Sequence, residues 1–79
     1  MLIRTQDKKL LNFNNIEIIR VSTVNPNHRV VAETVSGDVR TIASYDSEKQ
    51  AHIAIEYIEN AYIDGCKLVE FEESCIKRD

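Results

Sequence analysis

One stretch of this chain, residues 47–63 (SEKQAHIAIEYIENAYI), limits the possible folds more than any other. Its apolar residues recur at i, i+3, i+4 and i+7, the spacing that places them on one face of an α-helix. Ser47 followed by Gln50 is typical of a helix start, because the hydroxyl can accept a bond from a backbone N–H of the first turn. Gly65 is typical of a helix end. We therefore predict a helix over 47–63 with one apolar face, made of Ala51, Ala54, Ile55, Ile58, Ala61 and Tyr62.

The chain before this helix has the pattern of β-structure. Runs of β-branched and other apolar residues bounded by polar turns predict strands, and they cover residues 1–4, 10–13, 16–24, 29–35 and 39–45. The turns are short, so we expect neighbouring strands to be antiparallel. In the longest run the apolar alternation changes phase at Ile18 and Ile19, which indicates either two covered faces or a β-bulge. After the helix, residues 67–71 alternate well enough to predict a last short strand.

Together these elements predict a small α+β domain, an antiparallel meander of about four to five strands with one C-terminal α-helix packed on one face. We assign residues 1–72 to this single domain and residues 73–79 to a frayed C-terminal tail. A chain of 79 residues buries only about 60% of its unfolded surface. At this size oligomerisation often supplies the missing burial.

The net charge of −3 hides an uneven distribution. Residues 1–40 carry six Lys or Arg against four Asp or Glu, and residues 41–79 carry four against nine. The sheet is therefore predicted to be mildly basic and the helix half acidic, without the basic patch that nucleic-acid binding needs. No apolar run reaches the length of a membrane span, and the N-terminus lacks the apolar core of a signal peptide. We expect a cytoplasmic protein that binds neither nucleic acid nor membrane.

The two cysteines, Cys66 and Cys75, are too few for the disulfide framework of a small secreted domain, so we expect free thiols. A cysteine nucleophile with His28 or His52 as its base is conceivable, but no local motif supports such a pair. The two glycines of the chain do not form a phosphate-binding loop. We therefore predict that the chain is not an enzyme.

The sequence gives little support for a metal site. His52 and Glu56 stand four residues apart on the predicted helix, with Glu59 nearby, so they share a polar face. A closed zinc site needs four ligands, and two or three on a solvated face arise often by chance. We expect neither a metal nor another cofactor.

A second apolar pair on the helix, Ile53 and Tyr57, is the feature most suggestive of function. The pair lies at the margin of the main apolar face and widens it beyond what one small sheet needs. Either the pair covers the edge of the sheet or it forms a contact surface for a protein partner or a second copy of the chain. We favour an interaction module whose contact is formed by Ile53, Tyr57 and the edge of the sheet, with a homodimer as the expected assembly and Glu56 beside the contact.

Two alternatives remain open. In one, the arginines of the predicted sheet line a pocket for an anion or another small ligand, which requires them to converge; they are Arg4, Arg20, Arg29 and Arg40. In the other, the acidic helix half binds the basic surface of another protein. An electrostatic contact of that kind should weaken steeply as salt is added, whereas an apolar contact should not.

Three short motifs carry a resemblance to known sequences. They are IRTQDK at residues 3–8, NNI at residues 14–16 and ASYDSE at residues 43–48, which precedes the amphipathic helix. In these motifs the chain resembles a group of short uncharacterised proteins from Gram-positive bacteria and their phages or prophages. The resemblance implies a phage-associated cytoplasmic accessory protein, for which an inhibitor of a host protein is one form. It implies no activity and no functional residues.

Overall fold

The structure, a computed structural model, describes residues 1–24 and 27–71. It confirms the predicted α+β class, with one helix packed on antiparallel β-structure. Part of the predicted turn at 25–28 and the predicted tail at 73–79 lie outside the described residues. In chain order the elements are β1 (Leu2–Arg4), β2 (Leu10–Asn12), a 3₁₀ turn (Phe13–Asn15), β3 (Ile16–Val24), β4 (Asn27–Thr34), β5 (Val39–Tyr45), α1 (Glu48–Ile63) and β6 (Leu68–Glu70).

The strands form two small sheets where the sequence predicted one. Strands β3, β4 and β5 make the expected antiparallel meander. The second sheet has the order β2–β1–β6, and β6 pairs with β1 in parallel. The N–H of Leu2 donates to the carbonyl of Lys67 at 2.8 Å, and the N–H of Phe71 donates to the carbonyl of Arg4 at 2.9 Å. Parallel strands need a long connection, and residues 5–67, which contain β2 to β5 and α1, provide it between β1 and β6.

Gln6 joins the two sheets. Its backbone N–H donates to the carbonyl of Ile42 at 2.9 Å, and its side-chain Oε1 accepts from the N–H of Ser44 at 2.8 Å. Both partners belong to β5, whose register against β4 shifts at Ile42. The end of β1 is thereby attached to the edge of the larger sheet.

The phase change predicted in the longest strand corresponds to an irregularity in β3. The register against β4 shifts between Ile16 and Ile18, so the extra residue is Glu17, one position earlier than the pattern placed it. Ile16 and Ile19 pack against the core, whereas Ile18 is 46% exposed. The shift lets residues on both sides of the bulge contribute to the same face.

Helix α1 begins as its sequence predicts, and most of its predicted apolar face is buried, but Ile55 is only partly buried and Tyr62 is 62% exposed. The Ser47 hydroxyl accepts a hydrogen bond from the N–H of Gln50 at 3.1 Å. The buried face carries three alanines, whose short side chains let the helix lie close to the sheets, together with one larger residue; they are Ala51, Ala54, Ala61 and Ile58. The hydrophobic core includes this face and side chains from both sheets, among them Ile3, Val30, Ile42 and Val69.

The end of α1 is also as predicted. Gly65 has φ of 77°, a conformation that residues with a Cβ rarely adopt. The N–H of Cys66 donates to the carbonyl of Ala61 at 3.0 Å, and the N–H of Gly65 donates to that of Tyr62 at 3.1 Å. This pair of bonds is a Schellman motif. It turns the chain from the helix back toward β6.

Candidate functional site: a groove between α1 and β6

An open groove of about 500 Å³ lies between α1 and the end of β6. We call it the α1/β6 groove, and its lining includes Tyr45, Gln50, Ile53, Tyr57, Glu70 and Phe71. Ile53 is 52% exposed and Tyr57 is 50% exposed. The pair singled out by the sequence therefore forms one wall of a concave apolar surface.

Tyr57 packs against the protein on one side and is exposed on the other. Its ring meets the ring of Phe71 edge-on, with centroids 5.5 Å apart and an interplanar angle of 90°. Aromatic pairs favour this geometry. Phe71 is buried, so one side of Tyr57 covers the end of β6 while its other side faces solvent. Ile53, one helical turn earlier, extends the exposed side along α1.

The described residues that line the groove carry little charge. Its lining includes one carboxylate, Glu70, whose Oε2 accepts from Nη1 of Arg4 at 3.1 Å. Gln50 and the tyrosines supply the neutral polar groups. This arrangement suits the burial of another apolar surface, with a few hydrogen bonds at the margin.

Glu56 does not line the groove. It is exposed on α1, three residues from Ile53 and one from Tyr57, so it projects from the neighbouring solvent face. His52, the other residue of the suggested metal pair, has Nε2 3.5 Å from Oε2 of Glu48. Within residues 1–24 and 27–71, no three His, Cys, Asp or Glu side chains are placed to hold a metal ion.

The four arginines of the anion-site alternative are dispersed. Three of them are engaged by carboxylates: Arg4 with Glu70 at 3.1 Å, Arg20 with Glu33 at 3.0 Å, and Arg40 with Asp38 at 3.6 Å. Arg29 is exposed on β4 and has no ion-pair partner among the described residues. Among the described residues, no arginine lines the α1/β6 groove. The structure therefore does not gather these residues into one site.

A second, smaller concavity of about 160 Å³ lies where β1 meets β5, and its lining includes Gln6 and Asp7. The side-chain Nε2 of Gln6 is buried there without a hydrogen-bond partner in the described chain. The Thr5 hydroxyl donates to the Asp7 carboxylate, and this bond lowers the pKa of Asp7, assisted by the nearby charge of Lys9. The sequence predicted residues 5–9 only as a connection between strands, and it gave no signal for the bond between the Thr5 and Asp7 side chains.

Two further surface features were not foreseen. The outer face of the smaller sheet exposes Leu2, Leu10 and Leu68 at 42%, 52% and 41%. In the part of the chain that the structure describes, β6 has no neighbouring strand on the side away from β1. The alternation at residues 67–71 predicted a strand but could not indicate which of its edges would be paired.

No family model, curated protein or solved structure matches this chain. No helix within the described residues is long and apolar enough to cross a membrane.

Proposed function

We propose that this chain is a non-enzymatic protein-interaction module that forms a homodimer through the α1/β6 groove. The observation that carries the proposal is the exposure of Ile53 and Tyr57, each about half accessible, beside a groove in which the carboxylate of Glu70 is already paired. Large apolar side chains gathered in a concave, weakly charged surface are characteristic of interaction sites. The resemblance to phage-associated proteins supports an accessory role in the cytoplasm of a bacterial host.

A second copy is a suitable occupant on grounds of charge. Helical spacing places the exposed Glu48 and Glu59 on the side of α1 away from Ile53 and Tyr57. Two copies can therefore bring their grooves together without opposing these carboxylates. An acidic or basic partner would find no unpaired opposite charge among the groove residues named above.

The Ile53 and Tyr57 pair does not by itself account for a stable dimer. A standard interface buries about 800 Å² on each partner, which is roughly 15% of the 5294 Å² accessible surface of this chain. Burying the exposed half of one large apolar side chain contributes about 1 kcal/mol, so four such halves contribute about 4 kcal/mol. Association costs an estimated 4–15 kcal/mol or more. The Ile53 and Tyr57 pair must therefore act together with adjoining surface.

Sedimentation velocity tests the proposal. We expect the wild type to sediment as a dimer at about 100 µM, and the double variant Ile53→Asp/Tyr57→Asp to sediment as a folded monomer, because two carboxylates per chain would be buried unpaired. The matched control is Ile63→Asp, since Ile63 is 70% exposed at the far end of α1 and outside the groove. The control should remain dimeric.

A monomeric wild type would contradict the proposal, as would equal dissociation of the double variant and the control.

In the alternative that the acidic helix half binds a basic protein, the exposed Glu48, Glu56 and Glu59 would make the contact. Binding would then weaken steeply between low and high salt, whereas a groove contact should change little.

A further inference from the structure

We infer that the dimer, which rests on the function proposed above, joins two copies through β6 into one continuous six-stranded sheet. The two β6 strands run antiparallel around a two-fold axis at Val69. Each copy contributes the same strand edge, as an isologous contact requires.

The hydrogen-bonding pattern of β6 supports this pairing. Toward β1, the strand uses the carbonyl of Lys67 and the N–H of Phe71, and the register places Val69 opposite Ile3. Successive residues of a strand direct their backbone groups to opposite edges, so those of Leu68 and Glu70 point away from β1. The described residues include no strand that pairs with this edge.

The backbone groups on this edge of β6 can pair with the same groups of a second copy. With the axis at Val69, Leu68 lies opposite the partner's Glu70, and Glu70 lies opposite the partner's Leu68. Each pair can exchange two N–H···O bonds, which is the hydrogen-bonded pair of an antiparallel ladder. The contact thus forms four backbone bonds without a shift in register.

The edge of β6 is continuous with the α1/β6 groove. Phe71 directly follows β6 and contacts Tyr57, and Glu70, whose backbone groups point to the free edge, lines the groove together with Ile53 and Tyr57. Pairing the strands therefore brings the groove of each copy toward that of the other. This supplies the adjoining surface that the Ile53 and Tyr57 pair needs.

The other sheet is less suited to such pairing. Its edge strands are β3, which carries the irregularity at Glu17, and β5, which carries one at Ile42 and is bonded to Gln6. Bulges and covering segments are common ways of blocking edge-to-edge association. The register of β6 with β1 is regular over Leu68–Glu70.

A pair of substitutions at one position tests the register. Leu68 is 41% exposed, so Lys or Glu can replace it without entering the core. In the inferred dimer, Leu68→Lys faces the partner's Glu70 and forms a favourable pair, whereas Leu68→Glu opposes a like charge twice per dimer. We expect Leu68→Glu to dimerise at least about tenfold more weakly than Leu68→Lys, as measured by sedimentation velocity with circular dichroism to verify folding.

Amide hydrogen exchange of the wild type provides a second test that needs no variant. The N–H groups of Leu68 and Glu70 should be protected at dimer concentrations and exchange faster on dilution. The N–H of Phe71 is bonded to β1 within one chain, so its exchange rate should not depend on protein concentration.

The outcomes separate this inference from the function on which it rests. If the wild type dimerises and Ile53→Asp/Tyr57→Asp does not, but the two Leu68 variants dimerise equally and the Leu68 amide is unprotected, the β6 pairing is wrong and the groove contact stands. If the wild type is monomeric, both are wrong.

Discussion

At the scale of single residues, Asp7 makes the stability of the fold depend on pH. The Thr5 hydroxyl, and secondarily Lys9, lowers the Asp7 pKa below 3.8 in the folded state. A group with a lowered folded pKa stabilises the fold above its unfolded pKa, and this stabilisation is lost as the pH falls through the folded value. The direction of the effect therefore follows from the hydrogen bond.

We predict that Asp7→Asn lowers the free energy of unfolding at neutral pH and that the difference from wild type shrinks as the pH falls below 3.8. Urea unfolding at about pH 7 and about pH 2 measures both quantities. A difference that stays constant across this range would show that the carboxylate charge has no part in the effect.

Other residue-level features could be predicted because they are local. Ser47 caps α1 and the turn at Gly65 ends it, through bonds that join residues at most five positions apart. The role of Gln6 could not be predicted in this way, since its partner Ser44 lies 38 residues along the chain. The same holds for Arg4 and Glu70, which are separated by 66 residues.

At the scale of elements, the alanines of α1 set how closely the helix approaches the sheets. Ala51 has no exposed surface. We predict that Ala51→Leu destabilises the fold by about 1–3 kcal/mol, because extra methylene groups in a packed core force neighbouring groups apart. His52→Leu at the adjacent exposed position is the matched control and should change the free energy of unfolding by less than about 0.5 kcal/mol.

Urea unfolding of the two variants measures the difference. Equal effects at Ala51 and His52 would show that close approach of the helix is not required, and the account of the core would be wrong.

The elements themselves were more predictable than their arrangement. The helix and the meander follow from periodicity and short turns, which are local patterns. The pairing of β1 with β6 joins the two ends of the described chain, and each strand has only three residues. Such short segments carry too little alternation to specify a partner or a direction, so the division into two sheets was not foreseen.

At the scale of the whole molecule, the uneven charge of the sequence does not become a basic face. Arg4, Arg20 and Arg40 each lie within 3.6 Å of a carboxylate oxygen, and two of those carboxylates come from a different strand. Exposed ion pairs contribute only about 0–1 kcal/mol each to stability. These three arginines are nevertheless already paired with carboxylates, so they do not form a preformed anion-binding site. The Ile53 and Tyr57 pair was found from the sequence because it widens a periodic pattern, whereas the groove beside it depends on where β6 ends.

The central claim is that two copies meet through the α1/β6 groove, and a dilution series of ¹⁵N-labelled wild type followed by two-dimensional NMR tests it most directly. Exchange between monomer and dimer changes the chemical environment of amides at the contact. We predict concentration-dependent shifts at the groove and the β6 edge, in particular at Ile53, Tyr57, Leu68 and Glu70, with Arg29 and the outer face of the larger sheet unchanged. Spectra that do not change on dilution, or shifts confined to that outer face, would contradict the account.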